Sequence, residues 1–322
     1  MKAKQCLYLL VALCLFFPPT VLSQDYPVKP IKVIVPFSAG GSTDVIMRTL
    51  APHLEKSLGQ KIGIVNMEGA SSSLGAMQVY QAEPDGYTLL FNHTSMLTAY
   101  HMGVGKFTWN ELTPICNVAD FDLIMAVTAD SPWKDFSELL KDAKNRPEQI
   151  KFGVNMGAGA HFAAIALNLA ADVKFHFVAA GGDAKRTTAL LGKHIDVTHP
   201  GGGAIIQYVK TGKLRPLASF GLKRTPGFED TPTLTELGYD ASVPFMNGFY
   251  GPPDLPQDIV DKISKAAAEA IASPEFVEVL TKASMYPDYM DQNAFKKALL
   301  KLDSDLYKFA RAGNLIPSRI SK

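Results

Sequence analysis

Apolar and polar positions alternate along this chain with two different periods. Ile31-Lys32-Val33-Ile34-Val35 is a β-branched run that reads as a strand, and Pro36 ends it. Small residues follow in Phe37-Ser38-Ala39-Gly40-Gly41-Ser42-Thr43-Asp44. Val45, Ile46, Leu50, Leu54 and Leu58 then recur at helical spacing up to Gly59. The pattern predicts a strand, a glycine turn and a helix. Strands are expected at 63–65 and 87–91, with a small-residue turn at 69–74 and a short helix at 75–81 between them. A second unit carries strands at 123–127, 151–154, 175–178, 195–198 and 214–218. Helices are expected at 137–144, 161–171 and from Asp183 to Leu191. Pro216 suits an edge or strand-end position. The C-terminal segment reads as helices at 256–272, after Ser273-Pro274, and at 291–312. Strands alternating with helices imply an α/β fold with right-handed crossovers and largely parallel sheets.

Ala39-Gly40-Gly41 and Ala180-Gly181-Gly182 both join a strand to a helix. Gly69-Ala70 and Gly157-Ala158 both open small-residue turns before a helix. The echo suggests two lobes, each presenting two open helix N-termini. Such termini have unpaired N–H groups and about half a positive charge. Glycine lets an anion approach the backbone, so the four turns are candidate anion cradles. A tight connection capped by Ser42 or Thr43 is the plainer reading of any one of them. Asp44 and Asp183 fall in first helical turns, where acids complement the dipole. Capping suits both; an Asp44 facing the cleft would instead select a ligand amine. His161, at a helix start, reads either as a donor to a ligand carboxylate or as an exposed or capping histidine.

Composition narrows the choice. The 322 residues are 47% hydrophobic and 20% charged, an ordinary globular balance. Residues 1–23 carry Lys2 and Lys4, an apolar run to Phe17, Pro18-Pro19 and then Val21-Leu22-Ser23, the layout of a secretory signal. The run is short for a membrane span, and Leu13 before Cys14 argues against a lipoprotein start. Cleavage after Ser23 leaves 299 residues with 30 basic against 31 acidic side chains. This is not the basic excess of a nucleic-acid binder. Cys116 is then the single thiol, expected as a buried small hydrophobe. The expected location is the periplasm.

Catalytic and cofactor motifs are weak. The glycine turns match neither the dinucleotide fingerprint nor a loop ending in Gly-Lys-Ser/Thr. The seven histidines are scattered, with no His-Glu-x-x-His, so neither metal nor cofactor is expected. Gly69-Ala70-Ser71-Ser72-Ser73 lacks the hydrolase elbow. Asn92-His93-Thr94 matches a glycosylation triplet.

Several segments together resemble the Bug-type solute receptors of tripartite tricarboxylate transporters. They are Tyr26-Pro27-Val28-Lys29-Pro30-Ile31, Val35 through Asp44, Pro84-Asp85-Gly86-Tyr87-Thr88-Leu89-Leu90, Ala189-Leu190-Leu191-Gly192, Lys210-Thr211-Gly212-Lys213-Leu214-Arg215-Pro216-Leu217-Ala218, and Thr231-Pro232-Thr233-Leu234-Thr235-Glu236-Leu237-Gly238. The match runs in order along nearly the whole chain beyond residue 23. The resemblance implies a two-lobed periplasmic-binding-protein fold of type II-like organisation, joined by two crossover strands and closing on a carboxylate. Residues 24–125 plus 246–322 would form one lobe and 126–245 the other, with crossovers near 123–127 and 248–251. Implied ligand contacts are Phe37, Ser38, Ala39, Gly40, Gly41 and Asp44 in the first turn, Ser71, Ser72 and Ser73 in the second, and Thr94 and Ser95 after the third strand. From the other lobe come Met156, Gly157, Ala158 and His161, then Ala179, Ala180, Gly181, Gly182 and Asp183, then Pro200 and Gly201. Many relatives carry Tyr-Lys at Ala180-Gly181 and Asn or Asp at Gly201. Both changes remove side chains and make room for a larger or aromatic acid. The implied function is non-catalytic: a monomer captures a small carboxylate, di- or tricarboxylate or aromatic, for membrane transporter subunits. A sensing partner of a membrane kinase and an exported hydrolase are the alternatives.

Overall fold

A computed structural model of the chain describes residues 26–106, 108–312 and 316. The secretory signal expected at 1–23 lies outside them. Eleven strands form two sheets among these residues. The first sheet holds β1 (Ile31–Val35), β2 (Ile62–Asn66), β3 (Thr88–Asn92), β4 (Thr113–Phe121), β10 (Phe245–Gly251) and β11 (Met285–Met290), in the order β11-β4-β10-β3-β1-β2. The second holds β5 (Ile124–Thr128), β6 (Lys151–Val154), β7 (His176–Ala179), β8 (Val197–Thr198) and β9 (Leu214–Ser219), in the order β7-β6-β8-β5-β9.

Helices connect the strands. They are α1 (Ser42–Leu58), α2 (Ser73–Tyr80), α3 (Ser95–His101), α4 (Phe136–Asn145), α5 (Gly159–Ala171), α6 (Asp183–Leu191), α7 (Gly202–Lys210), α8 (Gln257–Ile271), α9 (Pro274–Lys282) and α10 (Gln292–Ala312). β1 is buried at four of its five positions because neighbours cover both faces, which explains its near-continuous apolar run.

The sheets are mixed, not largely parallel as expected. β1 pairs parallel with β2 and β3, and β6 parallel with β7 and β8. β10 lies antiparallel between β3 and β4, while β5 is antiparallel to β8 and β9. The crossovers cause this. β4 leads out of the first sheet, only Asp122 and Leu123 separate it from β5, and β10 brings the chain back. An outgoing and a returning strand side by side must be antiparallel. β9 is an edge strand, and Pro216 sits there beside a register irregularity, as its missing N–H requires.

The outgoing crossover is pinned on several sides. Leu123 bridges Gly201, and the Gly202 N–H donates to the Asp122 carbonyl. The Thr225 and Tyr286 hydroxyls donate to the Asp122 carboxylate at 2.8 and 3.1 Å. Burial holds that carboxyl above the usual range. Cys116 is buried in β4, and burial pushes its thiol up to about 12. It is therefore an inert core group.

Candidate functional site

Two glycine turns have nearly the same backbone. Gly40 and Gly181 both adopt φ of 78°, a left-handed conformation that glycine allows without strain. The helix caps that follow, Gly41 and Gly182, are extended, at φ −73° and −71°. Neither cap has a side chain to offer, so the first amides of α1 and α6 have no intrahelical acceptor and no side-chain cap.

The cap residues Ser72, Thr94, Ala158 and Gly201 likewise make no side-chain cap, but the first amides of α2, α3, α5 and α7 find acceptors elsewhere, at the Ala70 carbonyl, His93 Nδ1, Ser95 Oγ and the Asp122 carbonyl. Other helices are capped. Asp135 accepts the Glu138 N–H at 2.9 Å and Ser273 the Phe276 N–H at 3.1 Å. Asp291 accepts the Ala294 N–H at 2.8 Å at the start of α10. α8, behind Pro256, is the one uncapped helix that starts at none of the predicted contact residues.

The uncapped turns of the two lobes meet. A Cβ placed on Gly201 would lie 3.0 Å from both Asp183 Oδ2 and Ser42 Oγ. A Cβ on Gly157 would lie 3.3 Å from Ser71 Oγ. The Gly159 N–H donates to Ser95 Oγ at 3.4 Å, and a Cβ on Gly159 would press on the Phe245 ring. The expectation that Gly201 leaves room for a larger ligand is corrected: Asp183 and Ser42 fill that space. The Ser71 turn is strained. Ala70, Ser71 and Ser72 all adopt positive φ, between 46° and 77°. Three such residues in sequence store strain of about 1–3 kcal/mol each, which folds retain at functional segments.

An aromatic floor lies beneath the junction. Phe37 and His93 stack with centroids 4.2 Å apart, and His93 meets the rings of Phe121 and Phe245 at 5.6 and 5.3 Å. Burial alone holds the His93 imidazole neutral, its pKa pushed down to about 3. Asn92 is buried too, and donates to Ser72 Oγ at 3.4 Å, so the glycosylation triplet is closed to modification.

Individual side chains differ from expectation. Asp44 does not face the cleft. It is 1% exposed, and its carboxylate accepts from Gly40 N, Arg48 Nε and Asn66 Nδ2, each at 2.8 Å. Burial raises its pKa, but these bonds outweigh burial and lower it. Asp44 thus braces the first turn from behind. Asp183 does not cap α6 with a hydrogen bond; it accepts the Gly201 N–H at 3.0 Å and pairs with Arg186. His161 is buried, not exposed, and its Nδ1 accepts the Gly157 N–H at 3.3 Å. Burial lowers its pKa, so the neutral ring carries its proton on Nε2. Thr94 is buried and donates to the Pro244 carbonyl.

Ser38, Ala39, Gly40, Met156, Ala179 and Gly182 are exposed, and Phe37, Gly41, Ser71, Ser73, Ala180 and Gly181 are half-buried. Ser72, Ser95, Gly157, Ala158, Pro200 and Gly201 are buried. Sequence reasoning missed His93, Phe121, Phe245, Arg186 and His199. A usable signal existed for Arg186: with Lys185 it places basic residues near a helix start, where the dipole disfavours them. Among the described residues, no group of three or more His, Cys, Asp or Glu side chains could hold a metal ion.

Comparison with known proteins places this arrangement. The family model described as the tripartite tricarboxylate transporter family receptor matches residues 46–316. The chain belongs to that receptor family. A Cupriavidus necator relative, the UPF0065 protein in the gbd 5' region, is 31% identical over 283 residues, covering 86% of this chain and 85% of the relative. The structure of the periplasmic binding protein BugD is similar at a TM-score of 0.81 and 28% identity, over 90% of this chain and 99% of that one. MatC from Rhodopseudomonas palustris with bound malate shares the fold at a TM-score of 0.79 and 24% identity, over 88% of this chain and all (100%) of that one. Receptors of this family have the two-lobed fold seen here, and the Bug resemblance read from the chain is confirmed.

Proposed function

We propose that this receptor captures a small carboxylate outside the cytoplasm, as a monomer, and delivers it to membrane transporter subunits. The binding cleft lies between a lobe of residues 24–125 plus 246–322 and a lobe of residues 126–245. One observation carries the reading: the uncapped N-termini of α1 and α6, one from each lobe, converge at Gly201, where Ser42 Oγ and Asp183 Oδ2 would each lie 3.0 Å from an added Cβ. Orphan amides at a helix start prefer an anion, and the dipole adds to that preference. The malate bound to MatC supports a carboxylate, since MatC has the same fold. The floor of Phe37, His93, Phe121 and Phe245 suits the carbon skeleton, aliphatic or aromatic.

Delivery follows from closure. The lobes move about the crossovers, and the closed form reports occupancy to the transporter. Hydrolysis would need a nucleophile paired with a base. His93 and His161 instead accept backbone N–H groups, His101 pairs with Asp303, and His199 meets the Ala160 carbonyl. The test is a thermal-shift screen with mono-, di- and tricarboxylates, aliphatic and aromatic. A ligand at 100 times its Kd adds about 2.7 kcal/mol of apparent stability. No shift with any carboxylate, together with turnover of an ester, overturns the reading.

A further inference from the structure

The start of α7 is built from Gly201, Gly202 and Gly203, although glycine is a poor helix former. The reason lies in the other lobe, at residues 283–285, where α9 passes into β11. A Cβ on Gly203 would lie 2.5 Å from the Ala283 carbonyl oxygen and 3.6 Å from Met285 Cε. A Cβ on Gly202 would lie 2.9 Å from Ser284 Cβ. In the loop after β9, a Cβ on Gly227 would lie 3.3 Å from Ser284 Oγ. The two lobes thus meet in a seam with no room for a side chain at Gly203, where the obstacle is backbone that cannot swing aside.

The seam is kept at a cost. Ser284 adopts φ of 57°, a left-handed conformation that strains a residue with a Cβ. It is 1% exposed, and its hydroxyl has no partner among the described residues. Glycines in a helix, a strained serine and a buried unpaired hydroxyl each lower stability, so stability alone does not explain this contact.

The seam sits behind the crossovers. In the first sheet the cleft turns follow β1, β2 and β3, on one side of the crossover strands β4 and β10, and β11 lies on the other side. In the second sheet the cleft turns follow β6, β7 and β8, on one side of β5, and β9 lies on the other. The crossovers therefore stand between cleft and seam. When two rigid lobes pivot there, opening the cleft presses the seam together.

We propose that Gly203 and the Ala283-Ser284 turn form a back-stop that limits how far the cleft opens, and so set ligand affinity from outside the site. The inference rests on the two-lobed receptor reading above.

The test drives a wedge into the seam. Gly203→Val should part the seam and bring the cleft walls together in the empty receptor. A larger binding-competent fraction should tighten binding by about three- to tenfold. Gly203→Ala should act in the same direction by less. Calorimetry with malate, adipate and the acid that shifts the melt most measures the affinity. Small-angle X-ray scattering measures the shape. Empty Gly203→Val should have a smaller radius of gyration than empty wild type, and the two should match when saturated with ligand. A merely disruptive side chain would weaken binding, so the sign of the change is diagnostic. Unchanged or weaker affinity, or an unchanged empty radius, in folded Gly203→Val overturns the back-stop while the receptor reading stands. An empty wild type as compact as the ligand-bound form overturns it too. If Gly203→Val does not fold, Gly203→Ala decides by the same signs. If the wild type binds no carboxylate, the receptor reading fails, and the radius of the empty variant decides the back-stop separately: a smaller one upholds it and an unchanged one overturns it.

Discussion

The turns Ala39-Gly40-Gly41 and Ala180-Gly181-Gly182 share a backbone and invert their charges. Each is followed by an acid and a base one helical turn apart, Asp44 with Arg48 and Asp183 with Arg186. In the first turn the acid is buried at 1% exposure and the base is 51% exposed. In the second the base is buried at 2% and the acid is 26% exposed. Asp44 turns back to hold Gly40, and the first amides of α1 have no side-chain cap. Arg186 is buried against Asp183 in the first turn of α6. The same local motif thus buries the acid of its ion pair in one lobe and the base in the other. Burial of the side chains makes the difference, and the glycines do not.

The largest expected effect breaks the first cradle. Gly41→Val places a Cβ 3.2 Å from the Ser38 carbonyl, closer than an easy fit, at a φ that valine tolerates. Carboxylate affinity should fall more than about 100-fold, or 2.7 kcal/mol, while the melting temperature moves little. Calorimetry and a melting curve check both, and intact binding removes this turn from the site.

Asp44→Ala comes next. It strips partners from Gly40 N, Arg48 and Asn66. The expected loss of stability is about 2 kcal/mol by urea unfolding. The sign with pH follows from the lowered pKa. A lowered carboxyl stabilises the fold above its ordinary value of 3.8, and the contribution disappears as pH falls through the folded value. Wild type and Asp44→Ala should therefore converge in stability below pH 3.8.

Histidines beside both cradles are neutral, so carboxylate affinity should be flat from about pH 6.5 to 8. Stability behaves otherwise. The His93 pKa is about 3 in the fold against an ordinary 6.5, so between these values the unfolded chain binds the proton and the native chain does not. Stability therefore rises with pH across that window, by about 1.4 kcal/mol per pH unit for each such histidine. His93→Phe should reduce that slope by one proton, measured as denaturation midpoints between about pH 5 and 6. An unchanged slope would mean that His93 is charged in the fold.

The smallest effect lies outside the comparison and serves as its control. Asp135→Ala removes a true cap and should cost about 1 kcal/mol of stability with no change in carboxylate affinity.

Much of the architecture was legible because local rules decide it. β1, its glycine turn and α1 follow from an apolar run, two glycines and helical spacing. The mixed sheet order was not legible, since it depends on which strands cross between lobes. β11 was hidden by Pro287 and Asp288, which an edge strand tolerates. β4 was hidden because Asn117 and Asp120 interrupt its apolar pattern, although both are buried. The uncapped turns were readable from their glycines and alanines. The burial of Asp44 and Arg186 was not, because a sequence shows a charge at a position and not the side on which it is buried.

Hydrogen exchange resolved by mass spectrometry, with and without a saturating carboxylate from the thermal screen, tests the central claim most directly. The account predicts ligand protection at the starts of α1 and α6, around residues 42–45 and 183–186, and none at the capped starts of α4 and α9, around 137–139 and 275–277. Protection at the capped starts, or none at the uncapped ones while ligand is bound, would contradict it.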